Sequence, residues 1–263
     1  MIPLPMRRAF LSSVVFGNNK AKRLAIRLTR WTGKSPEYVH PKHLLGETEE
    51  QYWYLAHVAP GDRILDVGCG NAMHTLKAAR HCVFIAGVDR SAESLAVGWR
   101  SARAEALANV GLVRADVEES LPFGAAAFDR VLCGDLLEHV LKRDHVLAEI
   151  RRVLRPGGSL LLAVPNRGTS WKRRLERAGL FAYSDPDHKI EYTLEELEEE
   201  LGRNGFRIVQ MHPSVYDTPF IGMVDVIGGL SLGLYSWLSA VRRRLARKYP
   251  RENAGFYAVC VPR

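Results

Sequence analysis

Ile64-Leu65-Asp66-Val67-Gly68-Cys69-Gly70-Asn71-Ala72 decides the fold. An apolar strand ends in a carboxylate, and a glycine-rich turn then leads into a helical pattern. Gly68 and Gly70 let the backbone turn sharply and let a ligand approach main-chain N–H groups. Outward from this turn, short apolar runs alternate with helical patterns. Arg63 to Val67, Val83 to Val88, Leu112 to Arg114, Arg130 to Cys133 and Ser159 to Val164 read as strands, and their near-continuous apolar character predicts a parallel sheet covered on both faces. Helices are predicted at about 72–81, 91–107 and 143–154, the last stopped by Arg155-Pro156-Gly157-Gly158. A polar connection, 166–192, leads to a helix from Thr193 to Asn204. A sixth strand, Phe206 to Met211, and a seventh, Phe256 to Val261, complete a doubly wound α/β sheet that is mostly parallel.

The turn sits where open parallel sheets bind ligands, at the carboxyl ends of the strands near the switch point. A dinucleotide fingerprint would need Gly or Ala where Met73 stands. Asp66 ahead of the turn points instead to a ligand with a cationic amino group and no diphosphate. Asp89 ends the second strand 21 residues after Gly68, where a carboxylate can accept both ribose hydroxyls. Asp116, at the end of the third, can accept an adenine amino hydrogen bond.

At this point residues 50–211 resemble the class I S-adenosylmethionine-dependent methyltransferases, in the small-molecule branch that includes the ubiquinone- and menaquinone-pathway enzymes. The resemblance is carried, in order, by LDVGCGNA, GVDRS, RADVEESLPFGAAAFDRVLCGDLLEHV and LRPGGSLLLAVPNR. It implies a Rossmann-like domain that binds S-adenosylmethionine and releases S-adenosylhomocysteine. It assigns Asp66, Gly68 and Gly70 to the methionine part, Asp89 to the ribose, and Asp116 with Val117 to the adenine. Asp135, Leu136 and Leu137 fall at the sulfonium end, and Cys69, Asn71, Ala72 and Arg90 complete the cofactor set. Ala72 stands where the family often has a third Gly; Ala still fits a helix start, so little loss is expected.

Methyl transfer is an in-line displacement, and an oxygen nucleophile often needs a base or a metal to lose its proton. Asp135, Glu138 and His139 lie near the fourth strand's carboxyl end. Their carboxylate-x-x-Glu-His pattern resembles the divalent-metal site of the ubiquinone-pathway O-methyltransferases, and on a helix one face would carry all three. No metal is the favoured expectation; His139 as a base or substrate contact and plain packing at the sheet edge both stay open. His188 and Tyr192 precede the 193–204 helix and can reach an acceptor, although such loop positions are also often plain surface groups.

Over 40 residues separate the last two strands, and the 213–254 insertion leaves the edge where the acceptor would bind. Its stretch from Phe220 to Val241 carries one charge, Asp225, and is long enough to span a membrane. A single crossing is excluded, because the strands on either side must pair in one sheet. Gly222, Gly228, Gly229 and Gly233 argue for a bent or closely packed helix pair. Three uses remain open: an intramolecular lid, a membrane-surface element over 219–251, or a dimer face.

Charge bears on that choice. Residues 1–45 hold nine Lys or Arg and one acid, residues 46–241 hold 21 and 27, and residues 242–263 hold seven and one, which resolves the net +8 into two basic ends around an acidic body. At the first end, Leu24, Leu28 and Trp31 share one helical face and Arg23, Arg27 and Arg30 another. Residues 1–45 are therefore expected to form a basic helical extension, and 46–263 the main domain. Both ends point to an anionic membrane surface, with packing of the first helix over the cofactor pocket as the alternative.

The four cysteines are scattered, without metal-ligand spacing, which fits a reduced cytoplasmic setting with peripheral membrane contact. Arg7 and Arg8 with the apolar run to Gly17 make only a faint leader-like pattern. The expected activity is O- or C-methylation of a small, apolar or lipid-linked acceptor by a monomer or homodimer. A nucleic-acid methyltransferase is disfavoured, because Cys133-Gly134-Asp135-Leu136 stands where an N/D-P-P-Y/F segment would be. A non-catalytic subunit that only binds S-adenosylmethionine is the remaining alternative.

Overall fold

The computed structural model describes residues 4–34, 52–181 and 183–263. Strand β1 (Arg63–Val67) lies at the centre of a seven-stranded sheet with β2 (Phe84–Asp89), β3 (Val110–Arg114), β4 (Phe128–Gly134), β5 (Leu154–Pro165), β6 (Phe206–His212) and β7 (Gly255–Pro262). The order is β3-β2-β1-β4-β5-β7-β6. Strands β1 to β5 are parallel, and β7 runs antiparallel to both its neighbours. The chain leaves β1 for β2 on one side and returns to β4 on the other, so the switch point falls at the end of β1. Ile64, Leu65 and Val67 are buried on both faces of the sheet, as the unbroken apolar run requires.

The helices are α1 (Leu4–Trp31), α2 (Met73–Ala79), α3 (Ala92–Ala104), α4 (Arg143–Val153), α5 (Ser170–Arg177), α6 (Leu194–Arg203), α7 (Ile221–Leu230) and α8 (Leu232–Lys248). Thr193 and Glu196 close a reciprocal capping box on α6. Within the stretch expected to be a polar connection, α5 forms behind a Thr169 cap. Ser-Trp-Lys-Arg-Arg-Leu-Glu-Arg offers only Trp171 and Leu175 as apolar residues, too few to show a helical period.

The chain divides into two compact units. The sheet unit comprises the described residues of 52–165, 185–212 and 255–263. A helical unit joins 4–34, 166–184 and 213–254, so the N-terminal extension and the insertion belong together. The expected boundary at residues 45 and 46 lies outside the described residues.

In the helical unit α1 is far longer than the 22–31 stretch that sequence periodicity marks, and α7 packs along it through glycines. A Cβ at Gly222 would come within 2.7 Å of the Ala21 methyl, and one at Gly229 within 2.8 Å of the Ala25 carbonyl and the Leu28 Cβ. Hydrogen bonds reinforce this seam: Asn18 donates to the Pro219 carbonyl at 2.8 Å and Thr32 to that of Gly229 at 3.0 Å. The apolar stretch is a bent pair, as its glycines predict. Ser231 leaves helical geometry between α7 and α8 and caps α8. Asp225, its one charge, is buried and faces Tyr235 and Arg242. No described helix is long and apolar enough to cross a membrane.

Candidate active site

The carboxyl ends of β1, β2 and β4 meet in the sheet unit. Asp66, the penultimate residue of β1, is 3% exposed, and its Oδ2 accepts the Thr75 hydroxyl at 2.6 Å from the first turns of α2. Burial, with a smaller push from Asp89, raises its carboxyl to about 7. Asp89 ties the turn together: its two oxygens accept the Gly70 N–H at 2.9 Å and the Ser91 N–H at 2.8 Å. The N–H groups of Gly68 and Cys69 both donate to the Val88 carbonyl.

Gly68 and Gly70 adopt φ of +76° and +53°. A Cβ at Gly68 would meet the Leu136 side chain at 2.7 Å, which places the β4 loop against the turn, whereas at Gly70 it would meet open space. Ala72 departs from expectation. It is not in the first turn of α2 but is the residue ahead of it, left-handed at φ +64°. That conformation costs a residue with a Cβ about 1 kcal/mol, so the missing third Gly is felt as backbone strain.

Asp116 is exposed and its Oδ1 accepts the Glu118 N–H, an Asx turn that leaves the other oxygen for a ligand, while Val117 beside it is buried. Arg90 is exposed, and its carbonyl accepts a bond from Arg114. Asp135 also lies in the left-handed region, at φ +51°. Such strain in a residue that carries a side chain collects at functional sites.

The β4 loop corrects one expectation. Residues 135–139 form a turn rather than a helix, so Asp135, Glu138 and His139 do not share a helical face. Glu138 turns inward and is buried, while Asp135 and His139 are exposed. The ligand atoms that gather within 4.8 Å are those of Glu138, His139 and His188, without Asp135. Glu138 Oε2 is buried with no hydrogen-bond partner, and burial, then Asp135, pushes this carboxyl up to about 8. An unpaired oxygen beside two imidazoles is a donor set suited to a divalent cation.

The two histidine rings meet edge to face, with centroids 4.7 Å apart. Burial and His188 lower the His139 pKa. His188 Nδ1 lies 2.8 Å from Oε1 of the fully buried Glu191. Neither His188 nor Tyr192 is a surface group. The His188 side chain is 9% exposed, and Tyr192 is wholly buried in the main core, where burial raises its phenol pKa. Tyr192 thus packs against the core instead of facing an acceptor.

Sequence reading missed three contributors. Thr75 and Glu191 act only through partners brought together by folding. Tyr54, whose hydroxyl lies 3.1 Å from His74 Nδ1, has its phenol pKa raised by burial and then by the nearby Asp66. Its one sequence signal is the aromatic run Tyr52-Trp53-Tyr54 ahead of β1.

A family model described as a methyltransferase domain matches residues 65–162, the span from β1 to β5 that holds every carboxylate of the turn. By that match the sheet unit carries a methyltransferase domain. A ubiquinone biosynthesis O-methyltransferase from Hahella chejuensis is 32% identical over 138 residues, 52% of this chain and 57% of that one. The chain therefore spans less than two thirds of that relative's length. The methyltransferase domain also resembles solved structures in fold. The cyclase SpnF aligns at TM-score 0.59 and 23% identity over 80% of each chain, and a SAM-dependent methyltransferase from Methanosarcina mazei at 0.51 and 22% over 62% of this chain and 88% of that one.

The residues of the methyltransferase domain fit S-adenosylmethionine. Asp66 is a buried carboxylate that a cationic amino group would ionise, Gly70 faces open space, and Asp89 and Asp116 keep acceptor capacity at successive strand ends.

Proposed function

We propose that this protein transfers a methyl group from S-adenosylmethionine to an oxygen of a small acceptor, a phenol of the kind found in quinone precursors. C-methylation of a similar apolar or lipid-linked acceptor is the nearest variant. The likeness to enzymes named ubiquinone biosynthesis O-methyltransferases supports the acceptor class. The observation that carries the reaction type is the His188–Glu191 pair beside Glu138 and His139.

When bound, S-adenosylmethionine supplies an electrophilic methyl on a sulfonium. Asp66 holds the amino group of its methionine part, Asp89 the ribose and Asp116 the adenine. Donation of the His188 Nδ1 proton to Glu191 fixes the imidazole tautomer and leaves the Nε2 lone pair to take the acceptor's hydroxyl proton. The acceptor oxygen then bonds to the methyl carbon while the S–C bond breaks, its electron pair returning to sulfur. A divalent cation on Glu138, His139 and His188 would lower the hydroxyl pKa instead, and the unpaired Glu138 Oε2 favours that second reading.

The test is methyl transfer from labelled S-adenosylmethionine to 3,4-dihydroxybenzoate as a probe catechol, with and without magnesium. Labelled product supports O-methylation. A screen of soluble and membrane extracts that finds label only in nucleic acid, or in nothing, contradicts it.

A further inference from the structure

The helical unit holds charge and apolar surface that methyl transfer does not use. Among its described residues stand 19 Lys and Arg against four Asp and Glu, a net +15, whereas the described residues of the sheet unit hold 17 against 21, a net −4. Helix α1 contributes no acid at all.

The same unit exposes large apolar side chains in ordered rows. On α1, Phe10, Leu24 and Trp31 are 14 and seven residues apart, nearly whole numbers of helical turns, and so share one stripe. The α7 seam occupies a neighbouring face through Asn18, Ala21, Ala25 and Leu28, and leaves Phe10, Leu24 and Trp31 exposed. Trp31 is 81% exposed and Phe10 67%. On α7 Met223 and Leu230 repeat at seven residues, each one step past the glycines of the seam, and Met223 is 63% exposed. On α8 Trp237, 61% exposed, begins a face that continues through Arg244 and Lys248.

We infer that this helical unit docks on the surface of an anionic lipid bilayer. Apolar side chains beside Lys and Arg on helices are the pattern of an interfacial anchor: the rings and aliphatic chains enter the headgroup boundary and the cations meet anionic lipid. Lys20, Arg23, Arg27 and Arg30 flank the α1 stripe on one side, within reach of headgroups. No described helix can cross the bilayer, so the contact is with its surface. Mutual repulsion of units at +15 opposes a second copy as the occupant. A nucleic acid would use the cations but leave Met223, Leu230 and Leu24 exposed to water. The inference is independent of the acceptor.

The test floats the full-length protein with phosphatidylglycerol–phosphatidylcholine vesicles and, separately, with phosphatidylcholine alone. Flotation is expected with the anionic vesicles only and is lost in high salt. Phe10→Ser with Trp31→Ser and Trp237→Ser, and separately Arg23→Glu with Arg27→Glu and Arg30→Glu, should each weaken it at least tenfold. All six positions are at the surface, so unchanged circular dichroism and S-adenosylhomocysteine binding will show an intact fold. Brominated phosphatidylglycerol should quench the parent's tryptophan fluorescence more than that of the serine variant. Equal flotation with both vesicle types, no loss in either variant, tighter binding to duplex DNA than to anionic vesicles, or a stable dimer that the serine variant dissolves would each overturn the inference.

Discussion

Glu191 holds His188: the fully buried carboxylate faces Nδ1 at 2.8 Å, three residues along a loop that also passes the β4 turn, where the Lys189 N–H donates to the Glu138 carbonyl. A buried carboxylate beside Nδ1 fixes the ring's orientation and tautomer. Removal of the base by His188→Ala should lower methyl transfer to the probe catechol by about 10²–10⁴. Glu191→Gln should lower kcat by roughly tenfold with little change in KM, because the ring then loses the carboxylate that orients it. Neither change should alter S-adenosylhomocysteine affinity measured by calorimetry, since both residues lie outside the glycine turn.

Cofactor binding should depend on pH through Asp66. Its carboxyl stands at about 7 in the ligand-free protein, and a cationic amino group needs it ionised. Calorimetric affinity for S-adenosylhomocysteine should therefore be greatest at about pH 7.5–8.5, where Asp66 is ionised and the ligand's amino group still charged, and fall below that, approaching tenfold per pH unit in acid.

Folding stability should move the other way. Asp66 and Glu138 have native pKa values raised to about 7 and about 8, while the unfolded groups titrate near 4. Between those values the native state holds more protons than the unfolded state, so stability falls as pH rises through 4 to 8 and levels off above. The loss from pH 5 to 8 is on the order of 6 kcal/mol, or roughly 12–24 °C in melting temperature, readable by thermal scans of the ligand-free protein.

Glu138→Gln removes the more costly of these charges. With divalent cations chelated, it should raise the melting temperature at pH 8 by about 2–4 °C and have little effect at pH 5. If magnesium or zinc raises the melting temperature of the parent but not of this variant, the cluster of Glu138, His139 and His188 is a metal site.

Gly98 lets α3 approach the glycine turn, since a Cβ there would meet the Ala72 methyl at 2.8 Å and the Asn71 carbonyl at 3.2 Å. Gly98→Ala should push that turn out of place, costing about 1–3 kcal/mol of stability and weakening cofactor binding. Gly68→Ala should be worse, because it adds strain at positive φ to a clash with Leu136.

The features legible in the sequence were those written locally. Unbroken apolar runs marked buried parallel strands, and Asp66, Asp89 and Asp116 marked their ends because a carboxylate there interrupts an otherwise apolar pattern. The glycines at 222 and 229 gave the bent helix pair for the same reason. Features that depend on meetings across the fold were hidden. Thr75 reads as one more helical residue until it bonds Asp66, and Tyr192 reads as loop until the core closes over it. Asp135 and Glu138 have helical spacing, yet the left-handed Asp135 starts a turn that sends them apart. The full length of α1 was masked because its buried side is made of small and polar residues, Asn18, Ala21, Ala25 and Thr29, which carry no hydrophobic period.

The central claim is that Asp66 and Asp89 form the S-adenosylmethionine site, and calorimetry with S-adenosylhomocysteine tests it most directly. Asp66→Asn keeps an acceptor for Thr75 while deleting the charge, and Asp89→Ala removes the groups offered to the ribose. Both variants should fold and lose at least tenfold in affinity. Parent-like affinity in both would contradict the assignment.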